Sequence, residues 1–105
     1  MVLEQGRAGH LPFADAVFDR IYSINSVQFW GDLGSGVREA VRTLAPRGRL
    51  VIAIQPRNAG ATDATTHAWG ERLADVFRRE ALVDVTRSYL PLQPTPAVCV
   101  RGMRG

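Results

Sequence analysis

The sequence predicts an α/β fold on a mostly parallel sheet with an antiparallel last strand, and three observations predict it. Leu50-Val51-Ile52-Ala53-Ile54 is an unbroken apolar run of strand length, the pattern of a strand covered on both faces as in a parallel sheet. Before it, Val37, Ala40, Val41 and Leu44 fall at helical spacing, with Arg38, Glu39 and Arg42 on the opposite face. At the end of the chain, residues 83–90 and 97–101 read as strands joined by Pro91-Leu92-Gln93-Pro94-Thr95-Pro96. So short a link makes an antiparallel hairpin, because a parallel return needs a crossover of about a dozen residues or more.

The other elements follow in order. Residues 2–5 read as the tail of a strand begun earlier, since two apolar residues are too few for a buried strand. Gly6-Arg7-Ala8-Gly9 turns the chain and Pro12 keeps the next stretch extended. Asp15 and Asp19 flank Val17-Phe18 as a surface turn would. Residues 20–24 form an interior strand that delivers Ser23-Ile24-Asn25-Ser26 at its far end, with Phe29 and Trp30 beyond. In open α/β sheets ligands bind outside the carboxyl ends of the strands, so this strand is the one that contributes to a site. Gly31 to Gly36 reads as a loop into the first helix, and Pro46 ends that helix. Gly48 turns the chain into strand 50–54, a small-residue loop follows to residue 63, and a second helix spans about 64–81. Trp69, Leu73, Val76 and Phe77 are its core-facing stripe.

At 105 residues the chain holds one small domain, 1–105, with no internal repeat. The longest apolar run is five residues, far short of a membrane span, and the first residues lack the basic start and apolar core of a secretory signal. The lone Cys99 cannot form an internal disulfide, and its apolar neighbours make it an inert strand thiol; both fit a reducing, cytoplasmic setting. The net charge of +3 comes from thirteen arginines without a lysine, dispersed along the chain, which argues against a nucleic-acid binder with its clustered basic face. His10 and His67 have no companion at ligand spacing, so no metal site is expected. Asp15 and Asp19 read as turn formers rather than paired catalytic carboxylates, and no catalytic acid or base is identified. Trp30 either walls a pocket or caps the core.

Three stretches, in order, carry a resemblance. Gly6-Arg7-Ala8 followed by Leu11-Pro12-Phe13, Asp15 and Phe18-Asp19 is the first. Ile21-Tyr22-Ser23-Ile24-Asn25 running into Phe29-Trp30 is the second, and Leu44-Ala45-Pro46-Arg47-Gly48-Arg49-Leu50 between helix and strand is the third. Together they resemble the carboxyl-terminal half of class I S-adenosylmethionine-dependent methyltransferases, of the methyltransferase type 11-like kind. The resemblance spans residues 6–54, and beyond it only the order of elements agrees. It implies a partial Rossmann-like three-layer sandwich, S-adenosyl-L-methionine as cofactor and a small-molecule acceptor. By the same resemblance Arg7 and Ala8 would meet the adenine, and Ser23, Ile24 and Asn25 the methionine part of the cofactor. Gln28, Phe29 and Trp30 would lie toward the acceptor.

Arg7 stands where the family usually has an aspartate that accepts from the adenine amine, and arginine only donates. Arg47 replaces a glycine, read here as a mild change on a surface turn. The family's glycine-rich cofactor loop has no counterpart in the chain, and Gly31-Asp32-Leu33-Gly34-Ser35-Gly36 follows the wrong strand to serve as one. The expectation is therefore a truncated methyltransferase domain. Its strand 20–24 would lose its family neighbour and become an edge, a template for pairing, predicting a homodimer or a partner chain that supplies the missing strands. Two readings stay open: methyl transfer, or a non-catalytic fragment acting by association. A generic nucleotide-binding or receiver-type domain explains neither the Leu-Pro-Phe stretch nor the Leu-x-Pro-x-Gly turn.

Overall fold

The computed structural model describes residues 2–3, 18–24, 32–57 and 60–105. The element order is β1 (Val2–Leu3), β2 (Phe18–Ile24), α1 (Leu33–Thr43), β3 (Leu44–Ile54), α2 (Asp63–Arg79), β4 (Leu82–Leu90) and β5 (Ala97–Arg104). One five-stranded sheet runs in the order β1-β2-β3-β5-β4. β1, β2 and β3 are mutually parallel, and β5 runs antiparallel to both its neighbours. All strands but β5 therefore point one way, as expected for an α/β fold with an antiparallel last strand.

The core lies between the sheet and both helices. Ile21, Leu50, Ile52, Ile54, Val98 and Val100 from the strands pack with Leu33, Val37 and Ala40 of α1 and Leu73, Ala74 and Phe77 of α2. Each of these side chains larger than alanine contributes about 1.5–3 kcal/mol by leaving water. Arg38 of α1 also forms an ion pair at 3.0 Å with Glu80, the residue that caps the carboxyl end of α2. Arg104, near the end of β5, donates to the carbonyls of Val41, Arg42 and Leu44. A guanidinium at a helix carboxyl end satisfies orphan carbonyls and complements the helix dipole.

Several boundaries differ from expectation. α1 begins at Leu33 rather than after the glycines, because Asp32 caps it: Gly34 N and Ser35 N donate to Asp32 Oδ1, and Ser35 Oγ donates to Oδ2 at 2.8 Å. Its buried stripe is Leu33, Gly36, Val37, Ala40 and Thr43, so Val41 sits at the margin and Leu44 already belongs to β3. The helix ends before Pro46, and β3 runs from Leu44 with an irregularity opposite β2, where the register shifts between Phe18 and Arg20. Arg47 takes φ of 65° there, a left-handed conformation that disfavours a side chain by about 1–2 kcal/mol. The glycine-to-arginine change is thus a strained one rather than a mild one. α2 fits the expected range closely, although Trp69 is only half-buried, with Arg72 stacked 5.2 Å from its ring.

Two further corrections concern coverage. β2 is not the edge strand, because β1 pairs with it, Val2 opposite Tyr22 and Leu3 opposite Ser23. On β3, Leu50, Ile52 and Ile54 are fully buried while Val51 and Ala53 are half-buried. Among the described residues both helices cover the same face of the sheet, so the apolar run is not sealed on its second face.

Candidate functional site

The parallel strands β1, β2 and β3 end together. Leu3 lies beside Ser23, Ser23 beside Ile52, and Ile24 beside Ala53. The carboxyl edge is therefore built by hydrogen-bond register, and the pleat sends its two expected residues to opposite faces. Ser23 turns to the helix-covered face and is completely buried, whereas Ile24 turns the other way and is 63% exposed. The backbone of α1 starts beyond this edge, with Asp32 at its cap. The hydrogen bond from the Ser35 side chain, then that from its amide, holds the Asp32 carboxyl below its ordinary value of 3.8.

At the end of β3 the chain is tied to the hairpin loop. Gln55 Nε2 donates to the carbonyls of Gln93 at 3.1 Å and Thr95 at 2.9 Å. The buried Thr95 hydroxyl donates to the Pro56 carbonyl, and Thr66 Oγ1 on α2 donates to the Pro96 carbonyl at 2.8 Å. Three side chains thus hold the proline-rich loop as a rim beside the carboxyl edge. Gln55, Thr66 and Thr95 escaped the sequence reading. The available signal was a glutamine directly after an apolar run and a threonine between prolines, and neither names its partner.

Of the expected cofactor residues, Ser23 and Ile24 are brought to this edge. Arg7, Ala8 and Asn25, and the expected acceptor residues Gln28, Phe29 and Trp30, lie outside the described residues, as do His10 and Asp15. His67 sits on α2, its Nδ1 2.9 Å from the Asp63 carbonyl and its ring stacked 4.5 Å from that of Tyr89. Among the described residues no group of three or more metal-ligating side chains occurs, and no helix is long and apolar enough to cross a membrane. Cys99 lies half-buried on β5.

The methyltransferase domain family matches residues 1–52. An uncharacterised methyltransferase of Bacillus subtilis, YdaC, is 28% identical over 97 residues, covering 92% of this chain and 54% of its own length. The malonyl-[acyl-carrier protein] O-methyltransferase of Dechloromonas aromatica is 44% identical over 71 residues, 68% of this chain and 24% of its own length. The chain thus spans about half or less of these relatives. Among solved structures, an S-adenosylmethionine-dependent methyltransferase of Thermotoga maritima superposes with a TM-score of 0.72 at 20% identity, over 95% of this chain and 62% of that one. The phosphoethanolamine N-methyltransferase 2 of Haemonchus contortus, holding phosphomonomethylethanolamine and S-adenosylhomocysteine, gives 0.71 at 10% identity over 92% and 36%.

Proposed function

Through residues 1–52 the chain belongs to the methyltransferase domain family, and from that premise we propose that residues 1–105 form the second half of a methyl-transfer site. The cofactor is S-adenosyl-L-methionine and the acceptor is a small molecule. The observation that carries the reading is the shared carboxyl edge of three parallel strands, with a buried serine and an exposed isoleucine at its end. At that edge the Ser23 backbone and the exposed Ile24 side chain can approach the amino-acid portion of the cofactor, the Ser23 side chain being buried on the helix-covered face. When bound, the cofactor supplies a methyl group on a sulfonium, an electrophile open to in-line attack.

The chain's own residues bind and orient. Arg7 and Ala8 meet the adenine, Ser23, Ile24 and Asn25 the methionine portion, and Gln28, Phe29 and Trp30 wall the acceptor side. The Gln55–Thr95 clamp fixes the neighbouring rim. Orientation alone contributes about 7–11 kcal/mol in well-aligned reactions, so a dedicated acid or base is not required. A small acceptor is supported by the Haemonchus contortus neighbour and its bound phosphomonomethylethanolamine. The rest of the site, the glycine-rich loop included, comes from outside residues 1–105, whether from the same protein or from a partner. Residence in the cytoplasm is supported by the lone cysteine.

One observation favours a second reading. β1 pairs with β2 on the side where, by the family resemblance, another strand belongs. A half-domain that closes on itself in this way would act by association without catalysis. Calorimetric titration with S-adenosylmethionine and its demethylated product decides between the two. Dissociation constants below about 100 μM, near −5.5 kcal/mol, are expected for a completed site. No heat at millimolar ligand would sink the methyl-transfer reading and leave the second.

A further inference from the structure

Among the described strands two stand at the edges of the sheet, β1 with two residues and β4 with nine. The backbone groups of an edge are a template for pairing with another chain, and folded proteins blunt them with bulges, charges and prolines. β4 is blunted at both ends and open between them. At its start the register against β5 slips between Val83 and Thr86, and Asp84 holds φ of 52° within that bulge. At its end the Leu90 carbonyl accepts from Leu92 N at 2.8 Å, and Pro91 has no N–H to offer. Between these stops Thr86-Arg87-Ser88-Tyr89-Leu90 runs in unbroken register with β5, from Thr86 opposite Arg101 to Leu90 opposite Ala97. The edge therefore offers one clean window, residues 86–90.

Exposed apolar surface collects at the same place. Five large apolar side chains are exposed among the described residues, and four of them, Val83, Tyr89, Leu90 and Leu92, lie on β4 or in the loop after it. Tyr89 takes the helix-covered side, opposite the buried Val98, and its ring stacks at 4.5 Å on that of His67 of α2. Its hydroxyl lies so close over Gly70 that a Cβ there would come within 2.5 Å of it. The ring is thus held in place while part of it stays exposed, and a side chain fixed beforehand loses little freedom on binding. Arg87 shares this side, opposite the buried Val100. Thr86, Ser88 and Leu90 alternate onto the other side, where Ser88 lies opposite Cys99.

We propose that this window pairs with the same window of a second copy of the chain, antiparallel, about a two-fold axis at Ser88. Only that register uses the whole window. A slip of two positions draws in either the bulge or Pro91, and a slip of one sends the side chains to the wrong faces. The register sets Arg87 of each copy opposite Tyr89 of the other on the helix side, and Thr86 opposite Leu90 on the reverse. A guanidinium is attracted to an aromatic ring, and the threonine methyl covers part of the exposed leucine. Each contact occurs twice, so the window is self-complementary, as a two-fold interface requires. The two sheets join into one, with the helices of both copies on the same face. The proposal does not depend on the methyl-transfer reading.

So short a seam belongs to the small, transient class of interfaces, and sedimentation of the full chain is expected to show a dimer with a dissociation constant of about 10–100 μM. Ser88→Lys sets like charges face to face across the axis and is expected to weaken the dimer about fivefold or more, with circular dichroism checking that the fold is kept. Cross-linking reads the axis itself, in a Cys99→Ser background that removes the native thiol opposite Ser88. There Ser88→Cys brings two thiols onto the axis with Cα atoms about 4.5–5.5 Å apart, within disulfide reach, and mild oxidation is expected to give a covalent dimer. Thr86→Cys leaves its two Cα atoms about 13 Å apart and is expected to give none. A chain that stays monomeric up to about 500 μM overturns the proposal. So does a dimer that Ser88→Lys leaves unchanged, which would place the contact on another surface. Equal cross-linking at the two positions would mean chance collision or a different register, and overturns it too.

Discussion

The two faces of β3 carry the same kind of sequence and live in different environments. Leu50, Ile52 and Ile54 are sealed under α1 and α2, while Val51 and Ala53, one residue away in each case, are half-buried beside Arg49 and Arg101. An apolar run says that a strand can be covered on both faces; it does not say that the cover lies in the same chain. The helix-covered face specifies the fold, and the other face is left with half-buried apolar side chains beside exposed arginines.

The largest test of that contrast is a pair of truncations on adjacent residues. Ile52→Ala should cost about 2–5 kcal/mol, the range for opening a cavity in a sealed core, whereas Val51→Ala should cost about 1 kcal/mol or less. Urea unfolding of the isolated chain measures both. Equal losses would mean that the second face is as well packed as the first, and the contrast would fall.

Overpacking tests the covered face from the other direction. A Cβ on Gly102 would come within 2.8 Å of Phe77 Cδ2 and 3.1 Å of Leu82 Cβ. Gly102→Ala should therefore destabilise by about 1–3 kcal/mol, since a fixed ring and a strand side chain must give way. A change within measurement error would show that α2 can slide off the sheet, and that the covered face is looser than its burial suggests.

A gain is expected where β3 enters the sheet. Arg47 holds φ of 65° and is exposed, so Arg47→Gly relieves backbone strain without removing a buried contact. The expected gain is about 1 kcal/mol, reduced by the greater freedom of glycine in the unfolded chain. Ala81, at φ of 64° just after α2, should respond in the same direction. Thermal midpoints of the two variants check this, and a loss at Arg47 would mean that the side chain makes a contact worth more than the strain.

The legible parts of this fold were those written in local period. The run at 50–54, the α2 stripe at Leu73, Val76 and Phe77 and the closing hairpin all appear where spacing put them, because each is fixed by one face that must leave water. The start of α1 was misread because a glycine-rich stretch looks like a loop until one acidic side chain caps it. The pairing of β1 with β2 was not readable, since two residues have no period and only register sets their place. Ser23 and Ile24 stand at the carboxyl end of β2, where the apolar strand was read. The Gln55–Thr95 clamp was not, because its partners lie 40 positions apart in the chain.

The smallest expected effect lies between the two faces, at the Asp32 cap that begins α1 beyond the carboxyl edge. Its carboxyl is held below the ordinary 3.8 first by the Ser35 hydroxyl and then by the Ser35 amide. A folded-state value below the unfolded one means that the charged form is favoured by folding. The contribution is therefore complete above about the ordinary value and disappears as the pH falls through the lowered one. Asp32→Asn keeps an oxygen able to accept from Gly34 N and Ser35 N but removes the charge that the helix amino end favours. The variant should unfold at a slightly lower temperature than the parent near neutral pH, and the gap should close on acidification toward about pH 2. A gap that is constant with pH would assign the cap to geometry alone. Should the gap close as the pH falls, the cap acts on α1 through the charge of Asp32.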